Sequence, residues 1–150
     1  MTECEFFDKA LVYVLKMQRT EREVSIFLLR KKGCAHDVAG RIIERLKGLN
    51  YLNDAEYARM YASAKREKLS VRAIKLKLRT KGIAQSIIDE LRFEDCDQSA
   101  LAKAVAAKYM RSKMPDQANL ARLFRYLVAK GFEYDLVGEI TKEVRNANRN

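Results

Sequence analysis

Cysteine, histidine, proline and glycine are all scarce in this 150-residue chain, which has three, one, one and six of them. So few glycines and prolines exclude collagen-like and Pro-rich low-complexity chains. Three cysteines far apart (Cys4, Cys34 and Cys96) form no disulfide framework. With no Cys-x-x-Cys pair and with His36 as the only histidine, a Cys/His zinc site is excluded too. Cys34 reads as a small packing residue and His36 as a turn residue, since no nucleophile lies beside it in sequence. No run of 18 apolar residues is present, so no membrane-spanning helix is expected. The first residues, Met1-Thr2-Glu3-Cys4-Glu5, are acidic and open no signal-peptide pattern. Unpaired thiols and the lack of a leader predict a reducing, cytoplasmic location. A Walker loop, a dinucleotide-binding glycine fingerprint and a Gly-x-Ser-x-Gly elbow are absent as well. Acidic neighbours such as Asp54/Glu56, Asp89/Glu90 and Glu94/Asp95 fit helix ends better than acid–base work. The sequence therefore predicts no enzyme activity, no catalytic residue, no cofactor and no metal.

What is abundant is hydrophobicity at 48%, enough for a core, and positive charge: 30 basic against 20 acidic residues, a net +10. The apolar residues follow a long period. Leu29-Arg30-Lys31-Lys32-Gly33, Leu78-Arg79-Thr80-Lys81-Gly82 and Leu127-Val128-Ala129-Lys130-Gly131 recur with their glycines 49 residues apart. Val38, Ile87 and Leu136 keep the same phase, as do Ala39, Ile88 and Val137, and then Ile42, Leu91 and Ile140. A Lys-Gly pair after an apolar helical pattern is a helix C-terminus, with glycine taking the left-handed cap. Asp37, Ser86 and Asp135 are expected to cap the helix that follows each glycine.

A further helix precedes each pair. Ala10, Leu11, Val14, Leu15 and Met17 give the first stripe, and Thr20-Glu21-Arg22-Glu23 is a capping box opening the next helix. Asp54 opens a helix with Tyr57, Ala58, Tyr61 and Ala62, and Ser70 caps one with Val71, Ile74 and Leu78. Leu101, Ala104, Val105 and Tyr109 make the third such stripe. Met114-Pro115-Asp116 breaks it before Leu120, Leu123, Phe124 and Leu127. Period-2 alternation is missing. The expected fold is all-α: nine short helices in three tandem three-helix repeats over residues 1–50, 51–98 and 99–150, stacked into an elongated, curved chain. Phe27, Tyr57, Tyr61, Phe124 and Phe132 are expected in the core.

The three segments carry +3, +2 and +5, but local clustering says more. Lys65, Arg66, Lys68, Arg72, Lys75, Lys77, Arg79 and Lys81 fall within 17 residues whose only acid is Glu67. On a helix Arg72, Lys75 and Arg79 share one face, opposite Val71, Ile74 and Leu78. Like charges at this spacing cost a few tenths of a kcal/mol per pair, so stability alone does not select them. A polyanionic or acidic partner accounts for such a face; a solvated face on a basic protein is the alternative. Lys103, Lys108, Arg111, Lys113, Arg122 and Arg125 add smaller groups in the last segment. No zinc-finger, homeodomain or RNA-recognition pattern is present, which disfavours sequence-specific readout.

Taken in order, these segments resemble the RecX regulatory proteins, small bacterial modulators of the RecA recombinase. The resemblance rests on Leu49-Asn50-Tyr51-Leu52-Asn53-Asp54-Ala55-Glu56-Tyr57-Ala58, on Ile74, Leu78 and Lys81-Gly82-Ile83, and on Leu123-Phe124-Arg125-Tyr126-Leu127 with Lys130-Gly131-Phe132. It extends from about Ala10 to Val144. Asn53 stands where the family commonly has Asp, and Leu69-Ser70-Val71 replaces a frequent Gly-Pro helix entry. The resemblance implies a monomeric protein that binds the RecA–single-stranded DNA filament in its groove and inhibits ATP hydrolysis, strand exchange and co-protease action. Lys65, Arg66, Lys68, Arg72, Lys75, Lys77, Arg79, Lys108, Arg111, Lys113, Arg122 and Arg125 are the candidate contacts to RecA or DNA. Two alternatives are a non-sequence-specific DNA-binding protein acting without RecA and a helical scaffold for another acidic partner.

Overall fold

The computed structural model of the chain describes residues 1–148. Nine α-helices and no strands are present among them. In order these are α1 Glu3–Lys16, α2 Glu21–Leu29, α3 His36–Gly48, α4 Asp54–Lys65, α5 Val71–Thr80, α6 Gln85–Asp89, α7 Gln98–Met110, α8 Gln117–Ala129 and α9 Tyr134–Ala147. The chain divides into two compact units. One holds Met1–Tyr61 and Lys77–Leu91; the other holds Ala62–Leu76 and the described residues from Arg92 onward.

In the first unit α1, α2 and α3 pack on one another around Phe6, Ala10, Val24, Leu28, Ala39, Ile42 and Leu46. The inward stripe of α1 runs Phe6, Ala10, Val14, a strict i, i+4, i+8 series. Leu15 and Met17, expected on that stripe, are exposed instead: Leu15 lies a further turn of about 100° round the helix from Val14, and Met17 is already extended because α1 stops at Lys16. In the second unit α7, α8 and α9 repeat the arrangement around Ala102, Ala106, Leu123, Leu127, Phe132, Val137 and Ile140. The middle helices bury Ala58, Ile74, Leu78 and Ile88 completely.

The three repeat glycines all have positive φ, 89° at Gly33, 86° at Gly82 and 93° at Gly131. Beyond Gly82 and Gly131 the next amide reaches back five residues, Ile83 to Leu78 and Phe132 to Leu127, which closes the preceding helix. Asn50 makes the same turn at φ 63°, with Tyr51 bonded back to Leu46. Asparagine tolerates this conformation better than most residues.

The helices after these glycines begin two residues earlier than the expected caps require. Their N-caps are Ala35, Ala84 and Glu133, none with a side-chain cap bond. Asp37, Ser86 and Asp135 therefore sit inside the first turn rather than capping it. Asp37 and Asp135 still favour the positive helix end. The middle helix of this class, α6, has only five residues and closes with short bonds from Glu90 to Ile87 and Leu91 to Ile88. Leu91 consequently lies beyond the helix it was expected to line. Two other cap assignments hold: Thr20 forms a full capping box with Glu23, and Ser70 accepts from the Ala73 amide. Asp116, read from sequence only as part of a helix break, caps α8.

Candidate basic binding surface

The cation-rich segment contains α5, which runs unbroken from Val71 to Thr80 with Ala73, Ile74 and Leu78 turned inward. Arg72, Lys77 and Arg79 are exposed, and Lys75 is half-buried with its ammonium 5.6 Å from the Phe93 ring centre. Arg79 donates to the Gln85 side chain at 3.0 Å. Lys65 ends α4, and Arg66 just beyond it points at the Cys96 sulfur, 3.3 Å away. Lys65, Arg66, Lys68, Arg72 and Lys75 belong to the second unit, Lys77 and Arg79 to the first.

Within the second unit a cavity of about 310 Å³ brings several predicted cations together. Lys68, Lys108 and Lys113 line it, and with them Lys130, Tyr109, Tyr126 and the single acid Glu67. Two rings stack there, Tyr109 from α7 on Tyr126 from α8, with centroids 4.4 Å apart. Lys113 lies over Tyr109 at 4.3 Å and Lys130 over Tyr126 at 5.1 Å. Four ammoniums around one carboxylate make the cavity cationic, and ring faces steady two of them. That arrangement suits a ligand with several negative oxygens, such as phosphates or carboxylates.

The rest of the predicted set lies outside this cavity. Arg111 is exposed at the end of α7. Arg122 donates to Asn119 at 3.2 Å. Arg125 lines a separate cleft between α8 and α9.

Lys130, Tyr109 and Tyr126 were missed by the sequence reading. Lys130 is the lysine of the repeat element and reads only as a helix-end residue. Tyr109 carries a signal of its own, for Tyr13, Tyr61 and Tyr109 recur 48 residues apart. Tyr13 is stacked as well, on Phe27 at 4.1 Å, with Arg19 over Tyr13 and Lys31 over Phe27. Phe27, Tyr57, Tyr61 and Phe124, expected in the core, are only half-buried; Phe132 alone of that group is fully buried. Phe27 and Phe124 pack against the two cores from the rim.

Lys81 has a structural task. It bonds Glu23 at 3.4 Å and lies near the Tyr57 and Tyr61 rings at 5.9 and 5.8 Å. Burial pushes the Cys34 thiol up, with Asp37 adding to the effect, as suits a packing residue. Among the described residues no group of three His, Cys, Asp or Glu is placed to hold a metal ion, and no helix is long and apolar enough to cross a membrane.

Comparison with known proteins adds a second line. Residues 53–91 match the family model for the second three-helix domain of RecX, and residues 97–140 match that for the third. A protein named regulatory protein RecX from Clostridium perfringens strain 13 is 34% identical over 146 residues, covering 93% of this chain and 68% of the relative. Its namesake from Bacillus licheniformis is 30% identical over 148 residues, covering 95% of this chain and 56% of the relative. The crystal structure of RecX from Lactobacillus salivarius superposes with a TM-score of 0.70 at 27% identity, over 95% of this chain and 96% of that one.

Proposed function

The chain belongs to the RecX family, and from that premise we propose that it is a negative modulator of the RecA recombinase. In this reading it binds the RecA–single-stranded DNA filament in its groove and inhibits ATP hydrolysis, strand exchange and co-protease activity, with effects on DNA repair and the SOS response. It acts as a cytoplasmic binding protein and not as an enzyme. Its working parts are three tandem three-helix repeats, residues 1–50, 51–98 and 99–150.

The observation that carries the proposal is the lysine cavity of the second unit, where Lys68, Lys108, Lys113 and Lys130 surround Glu67. Such a grouping is unfavourable for the isolated protein and is relieved by a polyanion. Lys65, Arg66, Arg72, Lys75, Lys77, Arg79, Arg111, Arg122 and Arg125 extend the cationic contacts in the proposal. The filament offers two matching chemistries, DNA phosphates and acidic protein side chains.

The test is a pull-down from nuclease-treated bacterial lysate, paired with RecA ATPase and strand-exchange assays. RecA recovered as the main specific prey, with both reactions inhibited, supports the proposal. Charge reversal by Arg72→Glu, Lys75→Glu and Arg79→Glu together is expected to abolish inhibition at unchanged helicity. Full inhibition by that variant overturns the residue assignment. Binding to DNA alone, with no effect on RecA, overturns the proposal in favour of an independent DNA-binding protein.

A further inference from the structure

The cleft between α8 and α9 has a volume of about 670 Å³ and does not share a residue with the lysine cavity. Its apolar lining comes from Leu120, Ala121 and Phe124, and Arg125 and Arg145 bring positive charge to it. Among the described residues neither guanidinium has a carboxylate partner.

The 49-residue period shows what this face does elsewhere. Leu120 is in register with Val71 on α5 and, one period earlier, with Arg22 on α2. At α2 the Arg22 side chain lies against Gly82, so close that a Cβ on the glycine would come within 2.5 Å of it. At α5 the contact falls on residues flanking the register position, with Ser70 and the Ala73 methyl lying against Gly131. The start of the helix is thus a packing face in both earlier cases, covered by a glycine turn. A hydroxyl locks each contact: Thr20 donates to the Lys81 carbonyl at 2.9 Å and Ser70 to the Gly131 carbonyl.

At α8 the N-cap is Asp116, whose carboxylate accepts from the Asn119 amide at 2.8 Å and has no proton to give a carbonyl. A glycine turn from a second copy of this chain would therefore meet oxygen against oxygen. The two unpaired arginines select the opposite chemistry. A nucleic-acid backbone would satisfy them but leave the apolar lining unfilled. We propose that the α8–α9 cleft docks an acidic amphipathic peptide segment of a partner protein. A Leu or Phe side chain enters over Leu120 and Phe124, and flanking carboxylates pair with Arg125 and Arg145. The inference goes beyond the filament reading and shares only Arg125 with it.

The test uses the full chain and a fluorescein-labelled 14-residue peptide with Leu and Phe four residues apart and Glu or Asp at most other positions. Fluorescence anisotropy is expected to show saturable one-to-one binding. Arg125→Glu with Arg145→Glu is expected to weaken it by about tenfold or more, the scale of two lost charge-assisted contacts. Ala121→Trp, an exposed position, is expected to block the cleft at unchanged helicity. The Arg72/Lys75/Arg79 reversal is expected to leave peptide binding intact, which separates this site from the contacts on α5. No saturable binding, equal binding of a peptide with Ser for Leu and Phe, or full binding by the arginine variant overturns the proposal. Displacement by a 12-nucleotide oligothymidylate with the same dependence on Arg125, Arg145 and Ala121 assigns the cleft to nucleic acid and overturns it too.

Discussion

Ser70 donates its hydroxyl to the Gly131 carbonyl at 2.7 Å while accepting from the Ala73 amide at 3.0 Å. One buried oxygen thereby caps α5 and ties it to the turn after α8. The Ser70 amide adds a bond to the Lys130 carbonyl at 3.0 Å. Thr20, also buried, does the same for α2, accepting from Glu23 and donating to Lys81. Ser70→Ala removes a cap worth about 1 kcal/mol and leaves a carbonyl without its partner, a further ~1 kcal/mol or more. Urea denaturation of Ser70→Ala is therefore expected to show a loss of about 2–3 kcal/mol, with Thr20→Val close behind.

The same junctions rank the glycines. All three have left-handed backbones, so an added Cβ costs about 1–2 kcal/mol at each. At Gly33 nothing lies within 4 Å of that Cβ, and the backbone term is the whole effect. At Gly131 it would overlap the Ser70 hydroxyl, fixed as the cap of α5, and the Ala73 methyl on that helix. At Gly82 it meets the Arg22 side chain, including the Cβ that cannot move away. Gly33→Ala is expected to lower the melting temperature least, with Gly82→Ala and Gly131→Ala clearly lower. Equal melting temperatures for the three variants would contradict this packing.

Those glycines show what the sequence discloses. The repeat of Leu, Lys and Gly at 49 residues was enough to place the helix ends, because left-handed glycine caps are a local matter. Apolar phase placed Leu78 and Leu127 in the core for the same reason, but in the first repeat it marked Leu29, which is half-buried beside the true core residue Leu28. Helix starts were harder: Asp37, Ser86 and Asp135 look like caps, yet the turn uses Ala35, Ala84 and Glu133. The second bonds of Thr20 and Ser70 span 61 residues and leave no trace in local pattern. Lys130 was hidden because one helix-end lysine serves structure at position 81 and a cationic cavity at position 130.

Asp54 carries a pH dependence. Its half-buried carboxyl is pushed above the usual Asp range by desolvation, partly offset by the Glu21 amide it accepts at 3.0 Å. A carboxyl raised in the folded state binds more protons there than in the unfolded chain, so its contribution falls as pH rises. The charge is a cost above the folded value, relieved as pH drops toward the unfolded one. Asp54→Asn keeps the acceptor without the charge. It is expected to be at least as stable as the native chain at pH 7, with the advantage shrinking toward pH 4. Asp54→Ala loses the acceptor and is expected to cost about 1 kcal/mol across that range. Denaturant midpoints at the two pH values decide it.

The lysine cavity predicts how binding responds to salt. Each ammonium that replaces counterions on a nucleic acid adds about 0.7–0.9 to the slope of log affinity against log salt. Lys68→Gln, Lys108→Gln and Lys113→Gln are exposed substitutions expected to leave helicity unchanged. Combined, they are expected to lower the slope for single-stranded DNA by about 2 if all three meet phosphate. Lys113 and Lys130 also rest on the Tyr109 and Tyr126 rings, so Lys113→Gln and Lys130→Gln are each expected to cost a few tenths to about 1 kcal/mol of stability as well. A slope unchanged by the triple variant would mean that these ammoniums face carboxylates of a protein partner, where affinity falls without counterion release from DNA.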